Sequence, residues 1–277
     1  MKTQVFILLT AISLIFAAVG DISAFDDYPE IQDIIKTYSK NYKSKFTKIF
    51  TDGPIYSGDG TAYGSPTNGG NCLFPKDEYY KDMMLAAINH DQYIDDLGCG
   101  LCAVVVSTSN PFKPIRVRVL DRCPECAHGS LDFSDKAFKA LTNMDPARVK
   151  ITWALIPCDV EIEDYPPLVT NPNIKFQFKT GSSQWWFQVQ IFNTRYPVAA
   201  VEMKVNGQFV SLNRAVHNYW VKPDGAVGSG PYTFRVTLAD SSLYVAENVE
   251  MAVPDDDEGD TFSTGNQIVC QDNLLLY

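Results

Sequence analysis

The sequence predicts a mainly β protein, and three observations lead to this prediction. The length of 277 residues allows one large domain or two of ordinary size, with 45% hydrophobic residues to build their cores. The composition, with 17 Gly, 16 Pro, 14 Tyr and 16 Phe, favours strands and turns. Several short segments alternate apolar and polar residues, as half-buried strands do.

The first 24 residues have the pattern of a secretory signal peptide. Lys2 gives a positive start, a mostly apolar run follows from residue 5 to residue 19, and cleavage is expected after Gly20 or Ala24. A membrane anchor is the alternative, but the run is shorter than the roughly 20 residues that a span needs. We therefore expect a secreted, extracellular protein with no membrane association after signal removal.

Residues 25–54 are predicted to be an N-terminal extension with a helix in it. Its apolar residues recur at helical spacing, with lysines between them; they are Ile31, Ile34, Ile35, Tyr38 and Tyr42. This pattern indicates a helix that packs on the following domain. A propeptide or partner-binding segment is the alternative.

The charge and the cysteines narrow the class of protein. A net charge of −10 makes anionic polymers such as nucleic acid poor partners, and favours a neutral polymer or a cationic surface. Cys99, Cys102, Cys123 and Cys126 have a zinc-ribbon spacing, and Cys-Pro-Glu-Cys is also similar to a redox pair. In a secreted chain, disulfides are the better interpretation. Cys270 is the odd cysteine, and it is a candidate bridge between two chains.

Residues 117–141 carry the most informative pattern. Val117 and Val119 alternate with polar residues in a strand that ends near Asp121. Asp132 follows, two residues before Ser134, which is predicted to cap a short helix. Both carboxylates thus occupy positions that a scaffold exposes and holds in place.

The remaining segments are assigned more simply. Residues 82–90 are predicted to be a helix and residues 103–107 a buried strand, and residues 147–158 a half-buried strand whose Trp153 is either core or groove lining. Residues 161–172 are rich in Pro and acidic residues, and they are interpreted as a semi-rigid linker. Residues 173–254 read as a β-sandwich with a turn at Asn206-Gly207, and residues 255–277 as an acidic tail.

Residues 55–160 resemble the first domain of expansins. The resemblance rests on Thr61-Ala62-Tyr63-Gly64, on Asp121 followed by Pro-Glu, and on Gly-Ser-Leu-Asp132-Phe-Ser. It implies a six-stranded double-psi β-barrel, similar to family-45 glycoside hydrolases, in which Thr61, Asp121 and Asp132 line a polysaccharide groove. It also implies the pairings Cys72–Cys99, Cys102–Cys158 and Cys123–Cys126.

The second domain resembles the family-63 carbohydrate-binding modules of expansins, an immunoglobulin-like β-sandwich that binds cellulose on a flat aromatic platform. Trp185 and Trp186 match two platform residues, and Lys179 matches a flanking basic residue. His217 falls on the third position, usually Tyr, and Tyr219 and Trp220 are nearby substitutes. The alternative is ordinary core, since adjacent residues of a regular strand face opposite ways.

The resemblance implies a groove with an acid and no base. Glycoside hydrolysis needs two carboxylates, and Asp132 matches the proton donor of the hydrolases. The segment after Tyr63 carries no carboxylate where the base is expected, and the nearest acid is Asp59. His128 is expected to be an exposed loop residue and not a catalyst. No metal or cofactor is expected.

Three hypotheses follow from the sequence. The first is an expansin-like protein of a cell wall or matrix that binds cellulose or a related neutral β-glucan and loosens microfibrils without hydrolysis. The second is an inert cellulose-binding matrix protein, and the third is a weak endoglucanase that uses Asp132 with Asp59. Cell-wall creep and sugar release distinguish them.

Overall fold

The computed structural model describes residues 20–38, 53–64, 69–76, 83–162, 164–170, 173–255 and 261–270. Most of the predicted signal peptide, up to residue 19, and most of the acidic run, residues 256–260, lie outside these ranges. The described chain forms a closed barrel followed by two further sheets, so the prediction of a mainly β protein is confirmed. None of the helices in the described ranges has the length and apolar character needed to cross a bilayer.

Six strands form the barrel, and they are β1 (Ile55–Gly64), β2 (Leu85–Asn89), β3 (Cys102–Ser107), β4 (Ile115–Cys123), β5 (Leu131–Ser134) and β6 (Val149–Ile156). They close in the order β1-β5-β2-β4-β3-β6. β1 pairs in parallel with β5, β2 pairs in parallel with β4, and the other neighbours are antiparallel. The expected double-psi β-barrel is therefore confirmed.

Trp153 belongs to the core of the barrel. Its side chain is 1% exposed and its ring centroid lies 4.8 Å from that of Tyr56. Its indole Nε1 donates a 2.7 Å hydrogen bond to the carbonyl oxygen of Gly129, which satisfies the one polar atom that the ring buries. Of the two interpretations left open by the sequence, core is the right one.

The helix predicted over residues 82–90 is wrong for the part that the structure describes. Leu85–Asn89 is the strand β2, and all five residues are buried. β2 lies between β4 and β5, where small side chains such as Ala86 and Ala87 fit, so packing on both sides overrides the helix preference of Met and Ala. Only a short helix, α2 (His90–Tyr93), follows, and Asn89 caps it by accepting from the Gln92 amide at 3.1 Å.

The helix predicted after Asp132 is present as α3 (Asp135–Thr142). The hydroxyl oxygen of Ser134 accepts a 3.3 Å hydrogen bond from the amide of Ala137, as an N-cap residue does. Ala137, Phe138 and Leu141 form its buried face, as the spacing predicts.

The N-terminal segment packs on the outside of the barrel. A 3₁₀ turn (Ile22–Phe25) precedes α1 (Pro29–Tyr38). Phe25, Ile31 and Ile35 are buried against the outward-facing residues of β3 and β6. The helix interpretation is therefore confirmed for these residues, and Tyr42 lies outside the described ranges.

The structure contains the three bridges that the resemblance implies, Cys72–Cys99, Cys102–Cys158 and Cys123–Cys126. The zinc-ribbon interpretation is therefore wrong, because its four cysteines lie in three different disulfides and offer no thiolate ligands. The bridges use six of the seven cysteines, and Cys270 is the seventh.

Nine strands form the C-terminal sandwich. One sheet has five strands, in the order β10 (Gln208–Ser211), β9 (Val198–Val205), β13 (Tyr232–Leu238), β14 (Leu243–Val249) and β15 (Asn266–Cys270). The other sheet has four strands, in the order β11 (Asn213–Arg214), β12 (Tyr219–Val221), β8 (Gln188–Phe192) and β7 (Lys175–Phe178). Stacked and edge-on rings of Phe176, Phe178, Phe187 and Phe234 fill the space between the two sheets. The predicted turn at Asn206-Gly207 connects β9 to β10 with positive φ at both residues.

The predicted tail contains a strand. Residues 266–270 form β15, which pairs antiparallel with β14 from Leu243 to Glu247. The sequence did not predict this strand, because the alternation of Gln267, Ile268 and Val269 is only a few residues long and follows an acidic run that is typical of a solvated tail. β15 is an edge strand, and Ile268 on it is 57% exposed.

The predicted linker folds back onto the barrel. The carbonyl oxygen of Cys158 accepts hydrogen bonds from the amides of Leu168 at 2.9 Å and Val169 at 3.3 Å. Both side chains are buried, as is Ile162. Apolar residues within the Pro-rich composition therefore attach this segment to the barrel surface, and the described part of it is not an extended spacer.

Candidate functional site

Thr61 and Asp132 face each other across the parallel pair of β1 and β5. They are register partners, and the Thr61 hydroxyl donates a 2.5 Å hydrogen bond to Oδ1 of Asp132. This bond holds the carboxyl group in one orientation at the barrel surface.

Asp121 lies in the same row of residues. Ala87 on β2 is the register partner of Asp132 on one side and of Asp121 on the other. Register partners project from the same face of a sheet, so Thr61, Asp132, Ala87 and Asp121 follow one line across four strands. With neighbouring strands about 4.8 Å apart, the two Asp Cα atoms are separated by roughly 10 Å. Ala87, between the two carboxylates, has a small side chain that is 3% exposed.

The backbone holds the Asp121 carboxylate. Its Oδ1 accepts from the amide of Asn71 at 2.9 Å and from the amide of Arg122 at 2.8 Å. The Asn71 amide comes from a 3₁₀ turn (Gly70–Cys72) that the Cys72–Cys99 bridge fixes to the barrel. Asp121 is therefore an oriented hydrogen-bond acceptor at one end of the row.

The electrostatics of Asp132 differ from those of a surface carboxylate. Burial raises its pKa above the ordinary value, and the negative charges of Glu125 and Asp121 act in the same direction. The Thr61 hydrogen bond and the charge of Arg148 oppose this shift. Asp132 thus retains its proton at a higher pH than an exposed Asp.

Tyr63 is a groove residue that the sequence interpretation did not select. Burial, together with the charges of Asp121 and Asp132, raises the pKa of its hydroxyl. This hydroxyl is buried and has no hydrogen-bond partner among the described residues. Tyr63 lies where the pairing of β1 with β5 shifts register, so the two-residue period of a strand does not place its side chain; its position in the Thr61–Gly64 motif was the available signal.

Asp59 is engaged in ion pairs. Its Oδ1 lies 2.5 Å from Nζ of Lys150, and its Oδ2 lies 2.9 Å from Nη1 of Arg148. The hydrogen bond from Lys150 is the main cause of a lowered pKa. Two cationic partners make this carboxylate a weaker base than a free one.

The Cys123–Cys126 bridge is part of the same surface. Its two sulfur atoms and one carboxylate oxygen of Asp132 all lie within 4.8 Å of one another. Because the sulfurs are joined in a disulfide, this group is not a thiolate metal site. His128 follows in the same loop, half-buried with its ring centroid 5.9 Å from Tyr56, so the expectation of an exposed residue is wrong.

Trp185 and Trp186 are both exposed, at 70% and 41%. They lie in a tight turn that two hydrogen bonds between the backbones of Ser183 and Trp186 close, before β8 begins at Gln188. A turn does not force neighbouring side chains to opposite faces as a strand does, and Phe187 is the first residue to enter the core. The core alternative is therefore wrong for both tryptophans.

The turn is clamped from a second loop. The carbonyl oxygen of Gln184 accepts from the amides of Val227 at 3.1 Å and Gly228 at 3.0 Å, and its side-chain Oε1 accepts from the hydroxyl of Ser229 at 3.0 Å. The two indoles are thus presented on an anchored support.

The other predicted platform residues lie elsewhere. Tyr219 is 1% exposed and lies under Lys179, whose Nζ is 5.1 Å from the ring centroid, so Tyr219 offers no face for stacking and its predicted role is wrong. Trp220, at 3% exposed, is also core. His217 contacts the barrel, with Nδ1 2.9 Å from the carbonyl oxygen of Asn71.

His217 is one of several residues that join the barrel to the sandwich. Gln190 Nε2 donates to the carbonyl oxygen of Cys72 at 2.8 Å, the Cys158 amide donates to the carbonyl oxygen of Arg195 at 2.8 Å, and Arg214 Nη1 donates to the carbonyl oxygen of Asp96 at 3.3 Å. A cavity of about 500 Å³ opens between the two units, with Arg122, Tyr93 and His217 in its lining.

Known proteins of similar sequence and structure were compared with this chain. No protein-family model matches it. The expansin of Bacillus subtilis is 28% identical over 184 residues, which are 66% of this chain and 73% of that protein. Expansin-like protein 1 of Dictyostelium discoideum is 26% identical over 193 residues, which are 63% of this chain and 61% of that protein.

A solved structure shares the whole architecture. The crystal structure of an apo expansin from Clavibacter michiganensis superposes with a TM-score of 0.61 at 27% identity, covering 76% of this chain and 95% of that one. The chain is similar to expansins in sequence and in fold. A variant of the Clavibacter expansin, with a TM-score of 0.61, was crystallised in complex with cellohexaose. The expansin-like chain thus shares its fold with a protein that holds a β-glucan oligosaccharide.

Proposed function

We propose that this expansin-like protein is secreted, binds cellulose or a related neutral β-glucan, and loosens contacts between glucan microfibrils without hydrolysis. The observation that carries the proposal is the row of Thr61, Asp132, Ala87 and Asp121 across one face of the barrel. It places the two carboxylates on either side of a small residue, with their Cα atoms roughly 10 Å apart.

The groove is suited to sugar hydroxyls. Asp121 accepts hydrogen bonds, and protonated Asp132 can donate one. Glucan hydroxyls that bind here exchange contacts with a neighbouring chain for contacts with the protein. That exchange weakens adhesion without breaking a covalent bond.

The tryptophans supply binding to the apolar sugar faces. If a stacked indole buries roughly 100 Å², the contribution is about 2–3 kcal/mol at ~25 cal/mol per Å². Trp185 and Trp186 are already exposed on a clamped turn, so little ordering is needed when they bind. An acidic chain with this surface favours a neutral polymer over nucleic acid.

The acidic residues that the structure describes near Asp132 are poorly suited to act as the base in hydrolysis. Asp132 has the raised pKa of a proton donor, but Asp59 is held between Lys150 and Arg148. Asp121 already accepts two backbone amide hydrogen bonds on Oδ1, so this oxygen is engaged within the protein. The endoglucanase alternative therefore has an acid without an effective partner.

The test is a paired assay on purified protein. Creep of a cellulose composite under load and release of reducing sugar are measured in the same sample. Extension without sugar is the expected result, and Asp132→Asn is expected to abolish extension while cellulose binding persists.

Two other results would each contradict the proposal and support a different function. Sugar release that Asp59→Asn, Asp121→Asn or Asp132→Asn removes would identify a hydrolase. Cellulose binding with neither extension nor sugar would identify a matrix protein, and for that case we propose a Cys270 bridge between two chains, visible as a dimer on non-reducing gels.

A further inference from the structure

The Cys123–Cys126 bridge is placed unlike the other two disulfides. Cys72, Cys99, Cys102 and Cys158 are at most 3% exposed and lie in the packed interior. The Cys123–Cys126 bridge instead lies beside Asp132, where Cys123 is 4% exposed and Cys126 is half-buried. Cys126 is therefore the least buried cysteine of the three disulfides in the described chain.

The position of this bridge gives it a minor role in holding the fold. The two cysteines are separated by 3 residues, against 27 and 56 for the other pairs, and the entropy that a disulfide removes from the unfolded chain grows with loop length. Other contacts hold the loop that follows. Gly129 binds Trp153 through its carbonyl oxygen and Gln92 through its amide at 3.2 Å.

A proton donor lies beside the sulfurs. A carboxylate oxygen of Asp132 is within 4.8 Å of both, a gap that one bridging water spans. Burial favours the protonated form of this group. Thiol–disulfide exchange is faster when the leaving sulfur is stabilised, and protonation of a leaving thiolate stabilises it.

We propose that Cys123–Cys126 is an exchangeable disulfide that reacts with small neutral or cationic thiols, with Asp132 as the proton donor. The thiolate of the external thiol attacks Sγ of Cys126, the S–S bond breaks, and Cys123 leaves with the electron pair and takes the proton of Asp132. A second thiol attacks the mixed disulfide at the external sulfur. The external thiols are oxidised to their disulfide, and Cys126 leaves as a thiolate in this second step. Asp132 regains a proton from the second thiol, and the Cys126 thiolate takes from solvent the proton that the first thiol released, so the bridge is reduced to two thiols.

The charges around the bridge determine which thiols react. The negative charges of Asp121 and Glu125 and the positive charge of Arg148 act on Asp132, whereas the Arg122 guanidinium lies 5.8 Å from the Tyr93 ring centroid. Arg148 is already paired with Asp59. The remaining negative charge disfavours the approach of an anionic thiol and favours a cationic one.

Exchange is independent of the proposed glucan function, because it is measured on soluble protein without polysaccharide. The folded Cys270→Ser protein is treated with cysteamine, which is cationic, or with 2-mercaptoethanesulfonate, which is anionic. Free thiols are then alkylated and the modified peptides are identified by mass spectrometry. Modification at residues 123 and 126 is expected while the other two bridges remain closed.

Two rate comparisons test the assignment of roles. Cysteamine is expected to react about three- to tenfold faster than the anionic thiol at low salt, with a smaller ratio at high salt. Asp132→Asn is expected to slow the reaction about tenfold or more, because the variant has no general acid to protonate the leaving thiolate. Asp135→Asn removes the same charge from the exposed start of α3 and is the matched control.

Three outcomes would overturn the proposal. One is modification of the bridge only together with Cys72–Cys99 and Cys102–Cys158, which would make it a purely structural clip. The second is an Asp132→Asn rate equal to that of Asp135→Asn. The third is equal rates for the two thiols. The Cys123→Ser/Cys126→Ser double variant gives the unreactive baseline, and its circular dichroism melt shows whether the fold needs the bridge.

Discussion

Asp132 is subject to opposing influences at the scale of one side chain. The Thr61 hydroxyl stabilises its ionised form, while burial and the charges of Glu125 and Asp121 stabilise its protonated form and prevail. The folded protein therefore binds this proton more tightly than the unfolded chain does, which links the protonation of one groove residue to the stability of the whole barrel.

We predict a pH dependence of stability that Asp132→Asn removes. Because the folded pKa lies above the unfolded value of 3.8, the stabilisation is complete below that value and is lost as the pH rises through the folded pKa. The free energy of unfolding of the parent protein, measured in urea, should fall relative to that of the variant as the pH rises from about 3 to about 7.

Asp59→Asn is the matched control, and it should show the opposite sign. The ion pairs with Lys150 and Arg148 lower the pKa of Asp59, so its contribution is present above 3.8 and is lost as the pH falls. An unchanged pH dependence in Asp132→Asn would contradict the burial argument.

We predict that Trp185→Ala weakens cellulose binding by about 30- to 100-fold, which corresponds to 2–3 kcal/mol of apolar burial. Trp185 is 70% exposed, so the melting temperature should stay close to that of the parent. Depletion isotherms on crystalline cellulose measure the affinity. Phe112→Ala removes a 51% exposed ring from the barrel and should leave binding unchanged; equal losses in the two variants would exclude a specific platform.

At the scale of secondary structure, α1 acts as an outer layer of the barrel. It covers the outward-facing residues of β3 and β6, where the Cys102–Cys158 bridge also lies. An outward-facing apolar strand surface of this kind would otherwise meet water. The extension is thus a structural part of the first unit over the residues that the structure describes.

We predict that Ile35→Ala lowers the free energy of unfolding by about 2–5 kcal/mol, because Ile35 is 1% exposed and its truncation leaves a cavity. Cellulose binding should not change. Lys36→Ala on the exposed side of the same helix is the control. A cost below that of Lys36→Ala would mean that α1 is only loosely attached.

The sequence predicted correctly those elements that are determined by interactions between residues close together in the chain. Ser134 with Ala137, Phe138 and Leu141 predicts α3, because a cap and an apolar face are both local. β2 was missed, because Ala86 and Ala87 acquire their strand conformation from β4 and β5, which lie far away in sequence. Within the candidate site, Thr61, Asp121 and Asp132 were selected from the motif that carries them, whereas Tyr219 was misplaced because Lys179, far away in sequence, covers its ring.

At the scale of the molecule, the two units are joined by direct contacts. Arg214 is central to this junction. Its guanidinium donates to Asn218 Oδ1 at 2.7 Å, to the carbonyl oxygen of Asp96 and to that of Val198, and it lies 4.4 Å from the Trp220 ring centroid. Burial lowers its pKa to about 10, so it remains cationic at neutral pH. Sequence alone interpreted the connection as a spacer, because the Arg214 contact that crosses the junction is with Asp96, which is 118 positions away.

We predict that Arg214→Met destabilises the junction by about 1–3 kcal/mol for each buried acceptor that loses its donor. Small-angle scattering should show a larger radius of gyration, and proteolysis near residue 163 should become faster. Creep activity should fall while cellulose binding persists. Lys204→Met on the exposed part of β9 is the control, and identical scattering of the two variants would contradict a joining role for Arg214.

The turn at residues 70–72 has a consequence for substrate length. It contacts Asp121 through one amide and His217 through one carbonyl group, so the groove and the tryptophans are held at a constant separation. A glucan chain that occupies both surfaces must then contain a minimum number of sugar units. As oligosaccharides become longer, the affinity should increase sharply at this minimum length and change little at shorter or longer lengths. Two units on a flexible connection would instead give an affinity that increases gradually with length.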